Sequence, residues 1–568
     1  MSSNPTPANP GSPMEQGAAL VQGGRFHEAV QVFAAVLRAN PMAPEPRIGL
    51  AQALLGMGDG WAAAAWMSDA CRVAPNRPEI WMDFARLLAS QKRDAEIEPL
   101  LMTAAAANPG HVGLLQMQGE FYLRHKAYAP GLQVFERLYD LTPEDAGTLL
   151  NYGFCLEHMG QVEKSVLLYR RAIARFPDFM EAHVDLSGVL WRVEDFDGAL
   201  AHAKKAVELA PENAYAVRIL GTAHLNLNQL DEAEHWLRRS LELKPGFSLS
   251  EIDLAFTLLE AGKLEEGWKL YARRWRDEER MKRPGFYVAD LEWKGRVEQP
   301  AQGKRIAVYA EQGLGDVIQF IRYARDLQAD GATVYAVIQQ ELVDLVEHSL
   351  PGVMCLRADR VLQADQHVAL LDLPMHYGTR MDSIPSSVPY LRAPEAKVKA
   401  WAHRMPPAQG RLRVGLAWSG SLKQVNNNNR AMRLSQLSPI LDMPQLQCFS
   451  LQKGDCGTFT DVAPSPDQLV DLTHEWQDFT DSAAMIANLD LVITVDTSIA
   501  HLAGAMGRKA WVMLAPNADW RWLQGRDDSP WYPTLRLFRR DFKESRAKQV
   551  GRVMEALSAR LQQAQRGN

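Results

Sequence analysis

Residues 119–143 read GEFYLRHKAYAPGLQVFERLYDLTP, and residues 153–177 read GFCLEHMGQVEKSVLLYRRAIARFP. A glycine, a ring (Phe135, Tyr169) and a closing proline return after 34 residues, although few of the letters between them match. In both directions the proline keeps the register, at Pro41, Pro75, Pro109, Pro143, Pro177, Pro211 and Pro245. A strict period of this length marks a helix-turn-helix solenoid, in which no single repeat buries its own apolar face and stacking supplies the core. Such a region offers a docking surface, not a catalytic pocket.

The other repeat positions agree. Small residues fall 12 before the proline, at Ala29, Ala63, Gly131, Ser165, Ala199 and Ala233, with only Ile97 bulky. A second small set falls 24 before it, at Gly17, Ala51, Ala85, Gly119, Gly153, Ser187 and Gly221, while Phe33, Phe135, Tyr169 and Leu237 fill larger holes eight before it. The pattern resembles the tetratricopeptide repeat over about 10–245, and a weaker eighth unit with Ala255, Gly262 and Gly267 in phase is expected to cap the array near Arg276. The solenoid is therefore expected over 14–276, after a disordered N-terminus at 1–13.

Composition bounds the rest. A chain of 568 residues, 47% apolar and 23% charged, reads as several soluble globular domains. A net charge of −6 argues against a general nucleic-acid binder. No basic and apolar leader opens the sequence, and no apolar run approaches the ~18 residues that span a bilayer, so a cytoplasmic protein without an integral membrane segment is expected. The five cysteines, Cys71, Cys155, Cys355, Cys448 and Cys456, have neither zinc-ligand nor paired spacing and are expected as buried thiols in a reducing compartment.

After the solenoid, short apolar segments at 305–310, 333–338, 367–371, 412–417, 447–451, 491–495 and 510–514 alternate with helical ones. That alternation predicts parallel sheets covered by helices on both faces. A proline-bearing linker at 393–410 separates two doubly wound, Rossmann-like halves, expected at 285–393 and 411–568. Ligands in such sheets bind outside the carboxyl ends of the strands, so the loops after Ala310, Ala417, Leu451 and Val495 are the places to search.

Four loops stand out. In Glu311-Gln-Gly-Leu-Gly-Asp-Val317, Gly313, Leu314 and Gly315 let backbone approach a phosphate or acceptor at a helix start, and Asp316 is either the helix N-cap or a general base on an acceptor hydroxyl. In 495–507, Thr497 and Ser498 open a helix whose N–H groups suit a diphosphate. There Asp496 caps or orients the turn in preference to binding a metal, and His501 is a packed helical residue or a ligand contact. In 417–433, Trp418, Ser419, Lys423 and Arg430 flank the run Asn426-Asn-Asn-Asn429, which reads as a solvated or mobile loop, or as one that closes on phosphate. In 450–454, Gln452 is placed to hydrogen-bond a ribose or base. Behind these, Arg521 and Trp522 in Asp519-Trp-Arg-Trp522 are candidate cleft residues, although large aromatics serve the core as readily. A terminal helix over 542–563 is expected to brace the two halves.

These motifs together resemble the tetratricopeptide-linked bacterial glycosyltransferases, whose catalytic half is similar to the heptosyltransferases, a two-Rossmann GT-B fold. The resemblance covers about 285–565, with a departure at 424–430, where relatives carry His and Asp. It implies inverting transfer from a nucleotide-sugar co-substrate without a bound metal or other cofactor, Asp316 acting as base and Thr497, Ser498 and His501 holding the donor diphosphate. Fused to repeats, the implied acceptor is a protein docked on the concave face, such as flagellin, glycosylated on Ser or Thr. The alternatives are a scaffold with an inactive transferase half, and a transferase acting on a glycan or lipid-linked acceptor.

Overall fold

The computed structural model of the protein describes residues 12–276, 281–311, 313–356, 364–422, 426–454 and 456–566. Two compact units divide it, Met1–Val189 and Leu190–Asn568.

The first unit is built from antiparallel helix pairs, Pro13–Gln22 with Phe26–Ala39, then Pro44–Gly56 with Gly60–Val73, and so on to Ala146–His158 with Val162–Arg175. Every second helix stops two residues before its periodic proline, and the next helix starts three residues after it. Proline cannot donate to the preceding turn, so the period fixes the corners. Gly17, Gly119 and Gly153 make room for Phe33, Phe135 and Tyr169, since a β-carbon at any of the three would stand 2.5–2.6 Å from the ring. The small residue and the ring 16 positions later are thus one packing device, repeated. The segment expected to be disordered is described only from Ser12, which caps the first helix through Glu15, so Ser12 and Pro13 are ordered helix start.

In the second unit the helical pattern continues through Ser248–Glu260 and Leu264–Tyr271 to a 3₁₀ turn at Ala272–Arg276. Gly221 and Gly267 give way to Leu237 and Leu259 in the same manner. Among the described residues nine strands follow: β1 (Arg305–Tyr309), β2 (Thr333–Val337), β3 (Met354–Cys355), β4 (Gln366–Ala369), β5 (Leu412–Ala417), β6 (Leu446–Ser450), β7 (Leu491–Val495), β8 (Ala510–Leu514) and β9 (Leu535–Arg539). They form two sheets, ordered β3-β2-β1-β4 and β6-β5-β7-β8-β9, with every pairing parallel. Strands covered on both faces read as unbroken apolar runs, and all five residues of β7 and of β8 are buried. Sequence reading missed β3, which has two residues, and β9, whose Arg536 and Arg539 interrupt the apolar run. The stretch expected as a linker contains the helix Glu395–Arg404, anchored by buried Trp401, whose indole donates to Asp481 at 3.1 Å.

One core joins the last helical pair to both sheets through Leu254, Trp268, Ile306, Val334, Val492 and Val512. A second core lies on the other face of the second sheet, where Val550, Val553 and Leu557 of the terminal helix Arg546–Arg566 meet Val414, Leu416 and Leu434. Four cysteines are buried free thiols; Cys355 is half-buried. No described helix is long and apolar enough to cross a membrane.

Candidate functional site

Strand order reverses beside β1 in the first sheet and beside β5 in the second, and the loops leaving β1, β5, β6 and β7 line one cleft of about 1060 Å³. Crevices of this kind arise where neighbouring crossovers depart to opposite faces of a sheet. Gly313, Leu314, Gly315, Asp316, Ser419, Arg430, Gln452, Asp496, Thr497, Ser498, His501 and Arg521 all border it. Trp418 and Trp522 lie in the packing behind the wall, and Lys423 is outside the described residues.

After β1 the chain opens the helix Leu314–Phe320 with Gly313 at the N-cap position, so Asp316 is not the cap. It sits three residues on and reaches back, its Oδ2 accepting the Gly313 N–H at 3.0 Å, while Oδ1 accepts Arg521 Nη2 at 2.5 Å. Arg521 also donates to Asp519 at 2.8 Å and lies 4.2 Å from the Trp520 ring centroid. Burial raises the Asp316 carboxyl above its ordinary range, opposed by the neighbouring guanidinium. Gly315 is there for proximity: a β-carbon would stand 2.9 Å from His501 Cδ2.

After β7, Thr497 and not Asp496 caps the helix Ser498–Ala505; its hydroxyl accepts from the Ile499 N–H at 3.2 Å. Ser498 therefore begins the helix at the cleft wall, where unpaired N–H groups favour an anion. Asp496 is raised by burial, against the attraction of Arg430. His501 stacks on Trp522 with centroids 5.2 Å apart, and its Nδ1 is 3.0 Å from the Tyr532 hydroxyl. Burial, then Arg521, push it down to about 3, so a neutral imidazole faces the cleft.

After β5, the Asn run is only partly solvated, with Asn428 exposed and Asn426 half-buried. Asn427 and Asn429 are each 2% exposed. Asn427 Oδ1 accepts from the Gly420 N–H at 3.1 Å and Nδ2 donates to Ser419 Oγ at 3.3 Å, so one amide ties the short helix Asn427–Arg430 to the strand end. An amide can donate and accept in one place, which a solvated-loop reading ignores. Arg430 gives Nε to Asn427 at 3.3 Å and, among the described residues, forms no ion pair. Gln452 Oε1 accepts the Trp418 and Ser419 N–H groups at 3.0 and 2.8 Å, which leaves its amide nitrogen as the group for a ligand.

Sequence reading missed the wall formed by Gln477, Asp478, Phe479 and Ser482, which lies beyond β6 and opens the capped helix Phe479–Ala487. The spacing of Asp478 and Asp481 was the available signal. It also missed the helical side chains that hold the loops. Arg274 donates to both Glu311 oxygens at 2.7 and 2.6 Å and to Asp372 at 2.6 Å, all buried, immediately before the Gly313 loop. Glu260 accepts from Gln524, beside Leu523, whose φ of 51° is unusual for a residue with a β-carbon. Asn228 donates to Pro516 O at 2.8 Å. Glu194 pairs with Arg540 at 2.8 Å and with Arg546 at 3.3 Å, and Arg546 in turn donates to the carbonyls of Asn428 and Asn429. Four positions along the helical part, two in turns between helices, one at a helix end and one in the 3₁₀ turn, therefore each grip a segment at or next to the cleft. Among the described residues, no group of three or more His, Cys, Asp or Glu converges as a metal site.

Comparison with known proteins agrees with the helical half. Models of the tetratricopeptide repeat match residues 20–82, 148–178 and 189–246, and the chain contains such repeats. It is 27% identical over 450 residues to protein FlbA of Caulobacter vibrioides, 73% of each chain being covered. A match of that length exceeds the segment up to Arg276, so it extends into the sheet-bearing part. A second relative, the human protein O-mannosyl-transferase TMTC3, is 23% identical over 212 residues, which is 34% of this chain and 23% of that protein. The chain thus spans about a quarter of that relative. A solved tetratricopeptide repeat protein from Parabacteroides merdae is 16% identical, with 43% of this chain and 97% of that one covered at a TM-score of 0.31.

Proposed function

We propose that the protein is a glycosyltransferase of GT-B type. It moves a sugar from a nucleotide-sugar donor to Ser or Thr hydroxyls of an acceptor protein, flagellin-like, docked on its repeats. The observation that carries this reading is the convergence, in one cleft at the reversal points of two parallel sheets, of an anion-favouring helix start, an arginine with no ion pair among the described residues and a half-buried carboxylate. The donor nucleotide lies against the β5 and β6 ends, with Gln452 offering its amide nitrogen. Its phosphates rest on the Ser498 N–H groups and Arg430. Asp316 faces them from the other half, and burial, which raises its basicity against the pull of Arg521, suits a general base.

The reaction is a single displacement with inversion. The acceptor oxygen bonds to the anomeric carbon as its proton passes to Asp316, and the carbon–oxygen bond to phosphate breaks with its electron pair leaving on the nucleotide. The helix start and Arg430 meet the charge that develops there, so the protein's own dipoles do the work of an added metal. Tetratricopeptide repeats support a protein acceptor, and similarity to the protein O-mannosyl-transferase TMTC3 over 34% of this chain supports transfer to protein hydroxyls.

A scaffold that binds donor without turnover is favoured by one observation: both Asp316 oxygens are already engaged, by Arg521 and by the Gly313 N–H. Calorimetric titration with UDP, GDP, ADP, CMP and CDP, followed by nucleotide release from the matching sugar donor, separates the two. Selective binding that weakens roughly ten- to hundredfold in Arg430→Ala is expected, with release slowed on the order of 10²–10⁴-fold in Asp316→Asn at unchanged nucleotide affinity. Binding without release by the native protein leaves the scaffold reading; no binding removes both.

A further inference from the structure

Behind Arg430 and Asp496 the cleft opens into a smaller recess of about 210 Å³, walled by Asn426, Arg430, Asp496, Asn517, Asp519 and two alanines. Two of these residues carry orphaned acceptors: among the described residues, Asn426 Oδ1 and Asn517 Oδ1 are buried without a hydrogen-bond partner, and Asn517 is only 9% exposed. Buried polar atoms are almost always paired in folded proteins, so unpaired ones in the residues that wall a cavity mark where a ligand, on turning these amides, supplies the missing groups. With the carboxylates of Asp496 and Asp519, four acceptors meet in one small space.

Four acceptors call for donors. A metal ion would find only two carboxylates here, short of the three or more His, Cys, Asp or Glu that converge as a metal site nowhere among the described residues, and the Arg430 guanidinium offsets one of those two charges. The volume is about seven times the ~30 Å³ share of a water molecule, room for one six-membered ring and not for a nucleobase with its ribose. A neutral group that is rich in hydroxyls and no larger than a monosaccharide satisfies all three conditions.

We infer that this recess is the subsite for the transferred sugar, in which Asn426, Asn517, Asp496 and Asp519 accept hydrogen bonds from its ring hydroxyls and so set which sugar is used. The inference rests on the transferase reading and adds residues to it that sequence analysis did not single out for this role. Arg430 and Asp496 border both spaces, so phosphates held by Arg430 lead directly into the recess. Asp519, which also borders both spaces, is linked through Arg521 to Asp316. A ring in the recess therefore has one side toward the phosphates and another toward the proposed base, as displacement at its anomeric carbon requires.

The test compares UDP-glucose, UDP-N-acetylglucosamine and GDP-mannose with bare UDP and GDP by calorimetry, on the native protein, Asn517→Ala and Ala518→Leu. The second variant fills the recess from its alanine wall without removing a polar group, which covers the case of an Asn517 variant that does not fold. At least one sugar nucleotide is expected to bind about ten- to hundredfold more tightly than its bare nucleotide. That increment is expected to vanish in both variants while bare-nucleotide affinity stays within about twofold. If bare nucleotide binds but the sugar adds nothing, or the variants weaken both forms alike, the subsite is wrong and the transferase reading stands. If neither form binds, the subsite falls, and the transferase reading falls with it only when ADP, CMP and CDP fail to bind as well.

Discussion

The repeats of the first unit and the helical pairs after Leu190 share one 34-residue grammar and use it differently. In the first unit, buried charge is spent on the array itself: Arg47 pairs with Asp69 of the neighbouring helix and donates to the carbonyls of Pro41 and Ala43 at 2.7 and 2.8 Å. After Leu190, the polar side chains Glu194, Asn228, Glu260 and Arg274 leave the pattern and hold segments of the sheet-bearing part. The period specifies helix corners and small-to-large packing; it leaves open what the remaining positions grip. A repeat can thus be a unit packed only on its neighbours or a support for the cleft-bearing sheets without changing its signature.

The sharpest way to break this comparison is Arg274→Met. It leaves Glu311 and Asp372 buried without their cation, and removal of one partner from such a cluster costs about 3–5 kcal/mol. Denaturant unfolding followed by tryptophan fluorescence should register that loss, together with loss of nucleotide binding. Stability unchanged within error would mean that the last helical turn does not hold the Gly313 loop.

The next largest effect is in pH dependence, and its sign differs between two groups of the second unit. Burial pushes Glu260 up to about 7. The folded state therefore keeps its proton where the unfolded chain, with a carboxyl near ~4.3, has lost it, and stability falls as pH rises from about 4 to 7. His501 is pushed down to about 3, so the unfolded chain takes a proton below ~6.5 that the folded state refuses, and stability falls as pH drops from there. Thermal unfolding of Glu260→Gln at pH 5 and pH 8 should lack an acid-side increment on the order of 2–3 kcal/mol; His501→Gln should gain at pH 5 relative to pH 8. Parallel shifts in the two variants would contradict the burial assigned to one of them.

The smallest effect is Gly153→Val. Its side chain meets the Tyr169 ring at 2.6 Å, and a net loss of about 1–2 kcal/mol is expected after the modest helix-propensity gain. Hydrogen exchange should quicken in the helices Ala146–His158 and Val162–Arg175, while nucleotide titration of the cleft stays unchanged. A fall in nucleotide affinity would erase the distinction drawn between the two sets of repeats.

The periodic elements were legible because each depends on local rules. Proline corners, the pairing of a small residue with a ring 16 positions later, and the apolar runs of β5, β7 and β8 carry their own signals. The loops near the cleft were legible because carboxyl ends of parallel strands are where such loops gather. What remained hidden depends on partners distant in the chain. Arg521 reads as a cation between two tryptophans, and nothing local announces that it spans Asp316 and Asp519. The Asn run reads as solvent-loving because its partners, Ser419, Gly420 and the Trp191 carbonyl, are not adjacent to it. Glu260 and Arg274 are charged residues near the ends of helical segments, where a solvated side chain is the ordinary expectation, and their partners Gln524, Glu311 and Asp372 lie far along the chain.

The Arg274 cluster has a consequence for how such a chain can be rearranged by recombination. A crossover that joins these sheets to another array near residue 276 would sever a buried ion cluster and the packing of Trp268 on Trp520, whose ring centroids lie 5.3 Å apart. Duplication or loss of whole 34-residue units farther upstream touches neither. Repeat number is therefore free to drift at one end of the helical array, while the units nearest the sheets are inherited with the cleft as a single piece.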